Sequence, residues 1–413
     1  MTRPGGGLEP ERHKTESLQP ASGGRRSALF LSPEAPYPLM GGGALRSSSL
    51  LHFLARGYDV DVVLFRQPGD ADPAAAIPSG LVRRALVIDL PANGRGAASK
   101  AWRNASRLAR RTPPLLDRFS GFGPVLSSYL QDRDYDIAVI EHFWCAPYVE
   151  QVRHHARRLI LDLHNVESEL HARCAGAETG PVAAAHRVFH RACRELERRW
   201  LPHFSSVLAT SVSDARLVGT IAPGVPVSVY PNAIPAAPQP LRREEDVVVF
   251  PGNLEYHPNV TAVRYFRTEM WPLLRERHPT LVWRLVGRNP AAVRRYTEGD
   301  PRIEVTGPVP DAIAELARAR VVVVPLLAGS GTRFKILEAW AAGAPIVSTT
   351  IGAEGLPVVD GVHLVLADTA PQFAAAVSGL LASQERRSGL AHAGRSLLEQ
   401  QFTWETAWKL LDF

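Results

Sequence analysis

A short glycine-rich loop stands between an apolar run and a helix-like segment in the last third of the chain. The apolar run VVVVPLL covers 321–327, and the loop contains Gly329, Ser330, Gly331 and Thr332. Glycines let the backbone approach a ligand closely, and Thr332 can cap a helix that starts beside it. The free N–H groups and positive dipole at a helix start favour an anion, with phosphate or diphosphate the natural guest.

Three charged residues at the start of the helix-like segment extend this chemistry. Arg333 can donate forked hydrogen bonds to an anion, and Lys335 adds a mobile positive charge. Glu338 follows Lys335 by three residues on roughly the same helix face, where it suits the hydroxyls of a sugar or ribose attached to the phosphate. A surface ion pair between Lys335 and Glu338 is an alternative, but it does not explain the glycines. The opposite face is predicted to pack in the core: Ile336, Leu337, Trp340 and Ala341.

Short apolar runs alternate with helix-length segments along the whole chain. This pattern predicts parallel sheets covered by helices on both faces. The predicted strands are 28–32, 59–65, 84–90, 136–140, 158–163 and 206–211 in the first half, and 247–252, 281–287, 302–307 and 321–327 in the second. The proline-rich stretch 230–246 between the halves is typical of an interdomain linker. The predicted fold class is therefore α/β, with two doubly wound Rossmann-like domains that face each other across a cleft and bind ligands beyond their strand ends.

Composition narrows the class of protein. The chain has 413 residues, 45% of them hydrophobic and 21% charged, which is typical of a soluble globular protein too long for a single core. No apolar run approaches the roughly 18 residues of a membrane span, and the start of the chain lacks a signal-peptide pattern. The cysteines Cys145, Cys174 and Cys193 form no CxxC motif or disulfide ladder. Buried structural thiols in a cytoplasmic protein are the prediction.

A basic stretch lies between Lys100 and Arg118, in a chain whose formal net charge is +6. With Trp102 interleaved, it is suited to the anionic inner surface of a membrane or to an acidic acceptor. A solvated helix face explains it equally well. Nucleic acid is not an expected partner, because no recognisable nucleic-acid module accompanies the basic residues.

The segment GSGTRFKILEAWAAGAPIVSTTIGAEGL at 329–356 resembles the nucleotide-sugar site of retaining GT-B glycosyltransferases, specifically glycosyltransferase family 4. The resemblance spans nearly everything from about residue 27 to the end. It is carried further by segments 35–46, 140–144, 162–169, 250–266, 285–290 and 305–311. It implies a GT-B fold, a nucleotide-sugar donor such as a UDP- or GDP-sugar, an acceptor bound mainly by the first domain, and no metal or cofactor.

The resemblance also assigns roles at the loop and helix. Arg333 and Lys335 resemble the residues that neutralise the leaving diphosphate. Glu338 matches the second Glu of the family's motif of two Glu residues separated by seven positions, and is expected at the ribose. Ser330 stands where the first Glu would be, so Ser330 and the neighbouring loop amides would contact the transferred sugar. The other donor-binding residues implied are Gly329, Gly331, Thr332, Gly252, Asn253, Gly287, Arg288 and Val309, the last three near the base.

Cleft residues are expected in the first domain as well. The glycine loop Gly41, Gly42 and Gly43 suits close approach of donor phosphate or acceptor, or equally a tight strand-to-helix turn. His142 follows a predicted strand and resembles the His that family members place at the donor sugar, although a lone His is more often structural. His164 and Asn165 follow the next strand as further cleft residues.

The domain boundaries expected from the sequence are as follows. Residues 1–26 form a disordered tail, 27–235 the acceptor-side domain, 236–246 the linker, 247–400 the nucleotide-sugar domain, and 401–413 a C-terminal helix that crosses back to the first domain. The function implied is retaining glycosyl transfer to a glycan or lipid-linked acceptor in bacterial polysaccharide or glycolipid synthesis, with Arg333, Lys335 and His142 as catalytic residues. A GT-B nucleotide-sugar epimerase and a catalytically silent nucleotide-sugar-binding subunit remain alternatives.

Overall fold

The structure is a computed structural model that describes residues 16–17, 25–92, 94, 96–329 and 331–413. Most of the predicted tail, and Ser330, lie outside the described residues. Where the tail is described it departs from the expectation, because Glu16–Ser17 pair with a strand and Arg26 already begins the next one. Over the described residues the two halves form separate, mainly parallel sheets flanked by helices, so the predicted α/β class is confirmed.

The first sheet has eight strands, and its neighbours are parallel except for the first pair. Its strands are β1 (Glu16–Ser17), β2 (Arg26–Ser32), β3 (Tyr58–Arg66), β4 (Arg84–Asp89), β5 (Tyr135–Glu141), β6 (Ala156–Asp162), β7 (Ser206–Ala209) and β8 (Val227–Val229). They lie in the order β1-β4-β3-β2-β5-β6-β7-β8. The order reverses at β2, between β3 and β5, as in other doubly wound sheets.

Eight helices connect these strands. They are α1 (Gly42–Gly57), α2 (Ala97–Arg110), α3 (Pro114–Arg118), α4 (Gly123–Leu130), α5 (Val149–Val152), α6 (Glu167–Ala177), α7 (Gly180–Trp200) and α8 (Val212–Ile221). Helices α6 and α7 pack against each other as a hairpin, which we call the α6–α7 hairpin. Helix α8 begins with a conventional cap, because Ser211 Oγ accepts a hydrogen bond from the Asp214 amide.

The second sheet has six parallel strands in the order β11-β10-β9-β12-β13-β14. These are β9 (Val247–Pro251), β10 (Val282–Val286), β11 (Ile303–Gly307), β12 (Val321–Val324), β13 (Ile346–Ser348) and β14 (Val365–Leu366). The helices are α9 (His257–Tyr265), α10 (Trp271–Arg277), α11 (Arg294–Thr297), α12 (Ala312–Leu316), α13 (Phe334–Ala341), α14 (Ala370–Ala382), α15 (Gln384–Gln401) and α16 (Trp404–Trp408). A π-helical stretch, Phe266–Met270, joins α9 to α10.

The apolar face of α13 packs in the core of the second domain as the sequence predicts. Ile336, Leu337, Trp340 and Ala341 are all buried. A Cβ on Gly394 of α15 would lie 2.2 Å from the Trp340 ring, so α15 crosses α13 closely only because this position is glycine. The core therefore fixes the axis of α13, and with it the direction of the polar residues on its other face.

The chain crosses between the domains twice. Residues 235–246 carry no helix or strand, and Ile234 forms an isolated bridge with Thr403. Beyond α15 the chain returns to the first domain, where Trp408 Nε1 donates a 3.0 Å hydrogen bond to the Ser49 carbonyl. The Phe413 ring packs edge-on against Phe53 at 5.4 Å.

In the described part of the chain, no helix is long and apolar enough to cross a membrane. The three cysteines are free and buried, as expected for thiols in protein cores.

Two glycines let the carboxyl ends of neighbouring strands approach each other in the second domain. Gly252 follows β9, and Gly287 follows β10 with a φ of 153°. A Cβ on Gly287 would lie 1.7 Å from the Gly252 carbonyl oxygen. Because the obstacle is backbone, no side-chain rotation can relieve it.

We predict that Gly287→Ala lowers the free energy of unfolding by ~3 kcal/mol, through overpacking against the backbone. Thermal unfolding measures the change. Gly389→Ala in α15 is the matched control, because a Cβ there meets nothing within 4 Å, and this variant should keep or raise the melting temperature. Equal melting temperatures for wild type and Gly287→Ala would contradict the close approach.

Candidate functional site

The loop after β12 lies against the first domain. Thr332 Oγ1 donates a 2.8 Å hydrogen bond to the Thr210 carbonyl, and Asn232 Nδ2 donates one of 2.8 Å to the Thr332 carbonyl. A Cβ on Gly331 would come within 2.8 Å of the His164 carbonyl oxygen. The absence of a side chain at Gly331 therefore allows the loop to approach the first domain this closely.

The expectation that Thr332 caps the helix is wrong. Helix α13 begins at Phe334, so Arg333 occupies the cap position, and no side chain caps the helix there. The helix starts one residue later than a Thr332 cap requires, and the Thr332 hydroxyl instead donates across the domain boundary to the Thr210 carbonyl. The amides at the start of α13 thus have no side-chain cap to satisfy them.

Arg173 of α6 also reaches this loop, and sequence analysis missed it. Its Nη1 donates a 2.9 Å hydrogen bond to the Gly329 carbonyl. Its Nη2 donates one of 2.9 Å to Glu354 of the second domain, and its Nε bonds Glu169 on its own helix. This arginine stands 156 residues before Gly329, so no local pattern could reveal the contact.

Arg333 is buried beneath the loop that precedes it, with 8% of its surface exposed. Nη1 donates a 2.6 Å hydrogen bond to the Gly331 carbonyl, and Nη2 donates a longer one of 3.3 Å to Ile351. A Cβ on Gly329 would lie 2.8 Å from Nη2, so the glycine makes room for the guanidinium. Burial lowers the pKa of Arg333, which places a poorly solvated positive charge at the loop.

Lys335 and Glu338 lie half-buried on the polar face of α13. The Lys335 ammonium donates a 2.7 Å hydrogen bond to Asn259 Oδ1 and lies 4.2 Å above the Phe250 ring. Burial, and then Arg333, lower the pKa of Lys335 to about 7. Burial raises the pKa of Glu338 to about 7. The two side chains make no direct ion pair, which disfavours the surface ion-pair alternative. Among the described residues, the ammonium bonds an amide oxygen and no carboxylate.

The other predicted donor residues surround this face. Lys335 Nζ lies 3.4 Å from where a Cβ on Gly252 would be, so Gly252 opens space beside the ammonium. The Asn253 carbonyl accepts a 2.7 Å hydrogen bond from Asn259 Nδ2, which orients the amide that holds Lys335. Arg288 is exposed. Val309, two residues after the end of β11, is half-buried and packs against the core.

The glycine loop of the first domain faces these residues. A Cβ on Gly41 would lie 3.3 Å from Arg288 Nη2, and one on Gly42 would overlap the Phe334 ring at 2.3 Å. Gly43 packs against the Glu34 carboxylate, which a Cβ would displace. Gly41 has a φ of 95° and directly precedes α1. The loop is thus both a tight turn into α1 and a close contact with the second domain.

His142 and His164 lie side by side at the ends of β5 and β6, with ring centroids 3.5 Å apart. His164 Nε2 is 3.4 Å from Asp162 and 3.7 Å from Glu141. Burial alone would lower the pKa of His164, but these carboxylates outweigh it and raise the value to about 9. Burial, with the positive charge on His164, holds the pKa of His142 well below its usual range. The pair is therefore one cationic and one neutral imidazole at pH 7.

His142 has an unusual backbone conformation at the carboxyl end of β5. Its φ is 59°, and its ring stacks on Trp144 at 4.1 Å. Its Nε2 atom is buried and has no hydrogen-bond partner within the described part of the chain. The nearest carboxylate, Glu34 Oε2, is 3.9 Å away. Asn165 lies half-buried in the loop beyond His164.

A buried ion pair supports these strand ends. Arg46 of α1 is 1% exposed and binds Asp162 through two hydrogen bonds of 2.8 and 2.5 Å. Its Nη1 also donates to the Tyr230 carbonyl at 2.7 Å and to Asn232 Oδ1 at 3.0 Å. Arg46 ends the segment 35–46 that contributes to the family resemblance, but the sequence assigned it no role. An arginine inside the apolar helix α1 was the signal, because a buried arginine needs a partner.

Glu141, Asp162 and His164 could each offer an atom to a cation, since these atoms lie within 4.8 Å of one another. Arg46 already binds both Asp162 oxygens, and Ser47 Oγ donates to Glu141. A metal ion at this cluster would have to displace the arginine. The arrangement is better explained by an internal guanidinium that serves as the counter-charge.

Comparisons with known proteins agree with this architecture. Residues 245–383 match the family model described as "Glycosyl transferases group 1". Sucrose-phosphate synthase from Thermosynechococcus elongatus superimposes with a TM-score of 0.70 at 17% identity, over 93% of this chain and 97% of that one. No curated protein sequence matches the chain.

Two further solved structures have the same arrangement. HepE of Anabaena, in complex with UDP and glucose, gives a TM-score of 0.61 at 16% identity, and the trehalose-6-phosphate synthase OtsA gives 0.61 at 14%. Each comparison covers 93% of this chain and 97% of the other. Likeness at these identities establishes the fold, so the expected GT-B fold is confirmed.

We predict that Arg46→Met lowers the free energy of unfolding by ~3–5 kcal/mol, because Asp162 would be left buried without its guanidinium partner. Chemical denaturation measures the change. Arg66→Met is the matched control, because Arg66 makes the same two-bond contact with Asp89 at a strand end, but in solvent. Its removal should change stability little. Similar losses in the two variants would contradict the importance of burial.

Proposed function

We propose that the chain is a glycosyltransferase that moves a sugar from a nucleoside diphosphate donor, a UDP- or GDP-sugar, to a glycan or lipid-linked acceptor with retention of configuration. The family match over the second domain and the shared GT-B fold support a glycosyltransferase-type enzyme. HepE has been solved with UDP-glucose, which supports a nucleotide sugar as donor. The observation that carries the proposal is the desolvated Lys335 ammonium, bonded to a neutral amide beside Arg333 and the uncapped start of α13.

The mechanism proposed is mainly electrostatic. Negative charge grows on the diphosphate as its bond to the sugar stretches, and Lys335, Arg333 and the first amides of α13 stabilise it without a metal ion. Binding of the anion restores the charge on Lys335, whose pKa burial has lowered. Glu338 accepts hydrogen bonds from ribose hydroxyls. The departing phosphate takes the proton of the acceptor hydroxyl, which attacks from the same face.

His142 is proposed to lie at the transferred sugar. A neutral imidazole with a buried, unbonded Nε2, within the described residues, is suited to a sugar hydroxyl. Thr332 and Gly331 hold the loop against the first domain, so domain closure would exclude water from the donor. Arg173 reinforces that closure from α6.

The alternatives predict different products. An epimerase needs free acid–base carboxylates, and the two beside His164, Asp162 and Glu141, are held by Arg46 and Ser47. A silent binding subunit would bind the nucleotide without turning it over. Slow hydrolysis of the donor sugar in the absence of acceptor supports transfer, an epimerised sugar supports the epimerase, and intact donor supports the silent subunit.

We predict that nucleoside diphosphates raise the melting temperature of the protein, and that Lys335→Met removes the shift. A thermal-shift screen with UDP, GDP, ADP and TDP, each with and without Mg²⁺, makes this measurement. Lys409→Met, at an exposed lysine, is the matched control and should keep the shift. Wild-type protein that responds to none of these nucleotides would overturn the donor-site assignment.

The pKa of Lys335 also predicts a pH dependence. In the free protein the ammonium loses its proton as pH rises through about 7, whereas a bound diphosphate raises that pKa. Affinity should therefore weaken above pH 7, by at most about tenfold per unit. Calorimetric titration between pH 7 and 9 measures it. Lys335→Arg, which stays charged, should bind with little pH dependence in this range, and an unchanged slope in that variant would assign the effect to another group.

We further propose that the protein is cytoplasmic and associates with the inner face of the membrane through α2. Trp102 on this helix is 75% exposed, and the basic residues Lys100 and Arg110 of the same helix are exposed as well. Trp102→Glu should reduce sedimentation with phosphatidylglycerol vesicles severalfold, while Leu241→Glu, at an equally exposed apolar side chain, should not. Equal sedimentation of wild type with phosphatidylcholine and phosphatidylglycerol vesicles would contradict electrostatic attachment.

A further inference from the structure

A cluster of sulfur and nitrogen atoms lies where the α6–α7 hairpin of the first domain meets α9 of the second. Cys174, His186 and His257 each place one ligand atom within 4.8 Å of the other two. Cys174 is buried, and the two histidines are half-buried. Thiolate and imidazole are the ligands that Zn²⁺ prefers in proteins.

The ring of His257 is held by a carboxylate through one nitrogen. His257 Nε2 lies 3.3 Å from Glu178 Oε1, while its Nδ1 is buried and has no hydrogen-bond partner among the described residues. Glu178 is itself fixed by Thr261 Oγ1 at 3.2 Å and by Arg264 Nη1 at 3.0 Å. A carboxylate that orients one imidazole nitrogen and leaves the other for the ion is characteristic of zinc-binding histidines.

His186 has a corresponding partner. Its Nδ1 lies 2.9 Å from Nδ1 of His171, which leaves Nε2 as the nitrogen available to a ligand. The contact with His171 thus orients the His186 ring, as the contact with Glu178 orients that of His257.

We propose that Cys174, His186 and His257 bind a Zn²⁺ ion that bridges the two domains. Ligand atoms in a tetrahedral zinc site lie roughly 3.4–3.8 Å apart, so atoms within 4.8 Å of one another reach that spacing by side-chain shifts of about 1 Å. Three ligands from this chain leave one position for water or another small ligand. Close packing of neutral histidines is the simpler alternative, but it leaves the buried His257 Nδ1 unexplained.

The position of the site gives the ion a mechanical role. Cys174 directly follows Arg173, whose guanidinium binds the Gly329 carbonyl and Glu354. An ion shared by α6, α7 and α9 would fix the α6–α7 hairpin relative to the second domain. It would thereby fix Arg173 against the glycine-rich loop.

Titration with Co²⁺ tests the site independently of any enzymatic activity. The full chain, first stripped with a chelator, should bind one Co²⁺ and develop a thiolate-to-cobalt charge-transfer band, which equimolar Zn²⁺ should abolish. The band should be lost in Cys174→Ser. In His257→Gln the affinity for Co²⁺ should fall at least tenfold. Cys193→Ser, at the other buried cysteine of the hairpin, is the matched control and should retain the band.

The variants are compared only after circular dichroism shows that they are folded without metal. If Cys174→Ser fails this check, His257→Gln decides, because its side chain is 35% exposed and its removal leaves no core cavity. A wild-type protein without a charge-transfer band overturns the proposal. So does a band that persists in His257→Gln at unchanged affinity, since the ion would then not join the domains. Neither result depends on nucleotide binding, so the proposed function could fail while the metal site stands.

Discussion

The arrangement of the cleft depends on one buried charge, the guanidinium of Arg46. In the low dielectric of the interior it must be fully bonded, and the chain meets this demand with the Asp162 carboxylate, the Tyr230 carbonyl and the Asn232 amide oxygen. These partners belong to the end of β6 and to the segment that leads to the linker. Asn232 then donates through its Nδ2 to Thr332. A continuous path of hydrogen bonds thus runs from the first helix of one domain to the helix start of the other.

The same desolvation that makes the ion pair necessary sets the protonation of the cleft. The pKa values of Lys335 and Glu338 both lie near 7, because burial disfavours the charged form of each side chain. His164, by contrast, is held cationic by Asp162 and Glu141. A site with this distribution of charge favours a negatively charged ligand.

The sequence was most informative where structure is local, and least informative where contacts are distant. The core stripe of α13 and the long strands follow directly from apolar periodicity. The strands β8, β13 and β14 span only two or three residues each, which is too short for a period to be recognised. The capping role predicted for Thr332 failed because the helix starts one residue later than expected and the Thr332 side chain bonds a partner 122 positions away. Arg46 and Arg173 were missed for the same reason, since their partners come together only in the folded chain.

The return of the chain to the first domain has a consequence for the order in which the protein matures. Trp408 and Phe413 cover α1 beside Ser49 and Phe53, so the first domain lacks part of its own surface until residues that follow the whole second domain have been synthesised. Domains usually fold in the order in which the ribosome releases them. Here part of the first domain stays uncovered until the second domain has been synthesised. The surface of α1 beside Ser49 and Phe53 is therefore covered only after the second domain has been made.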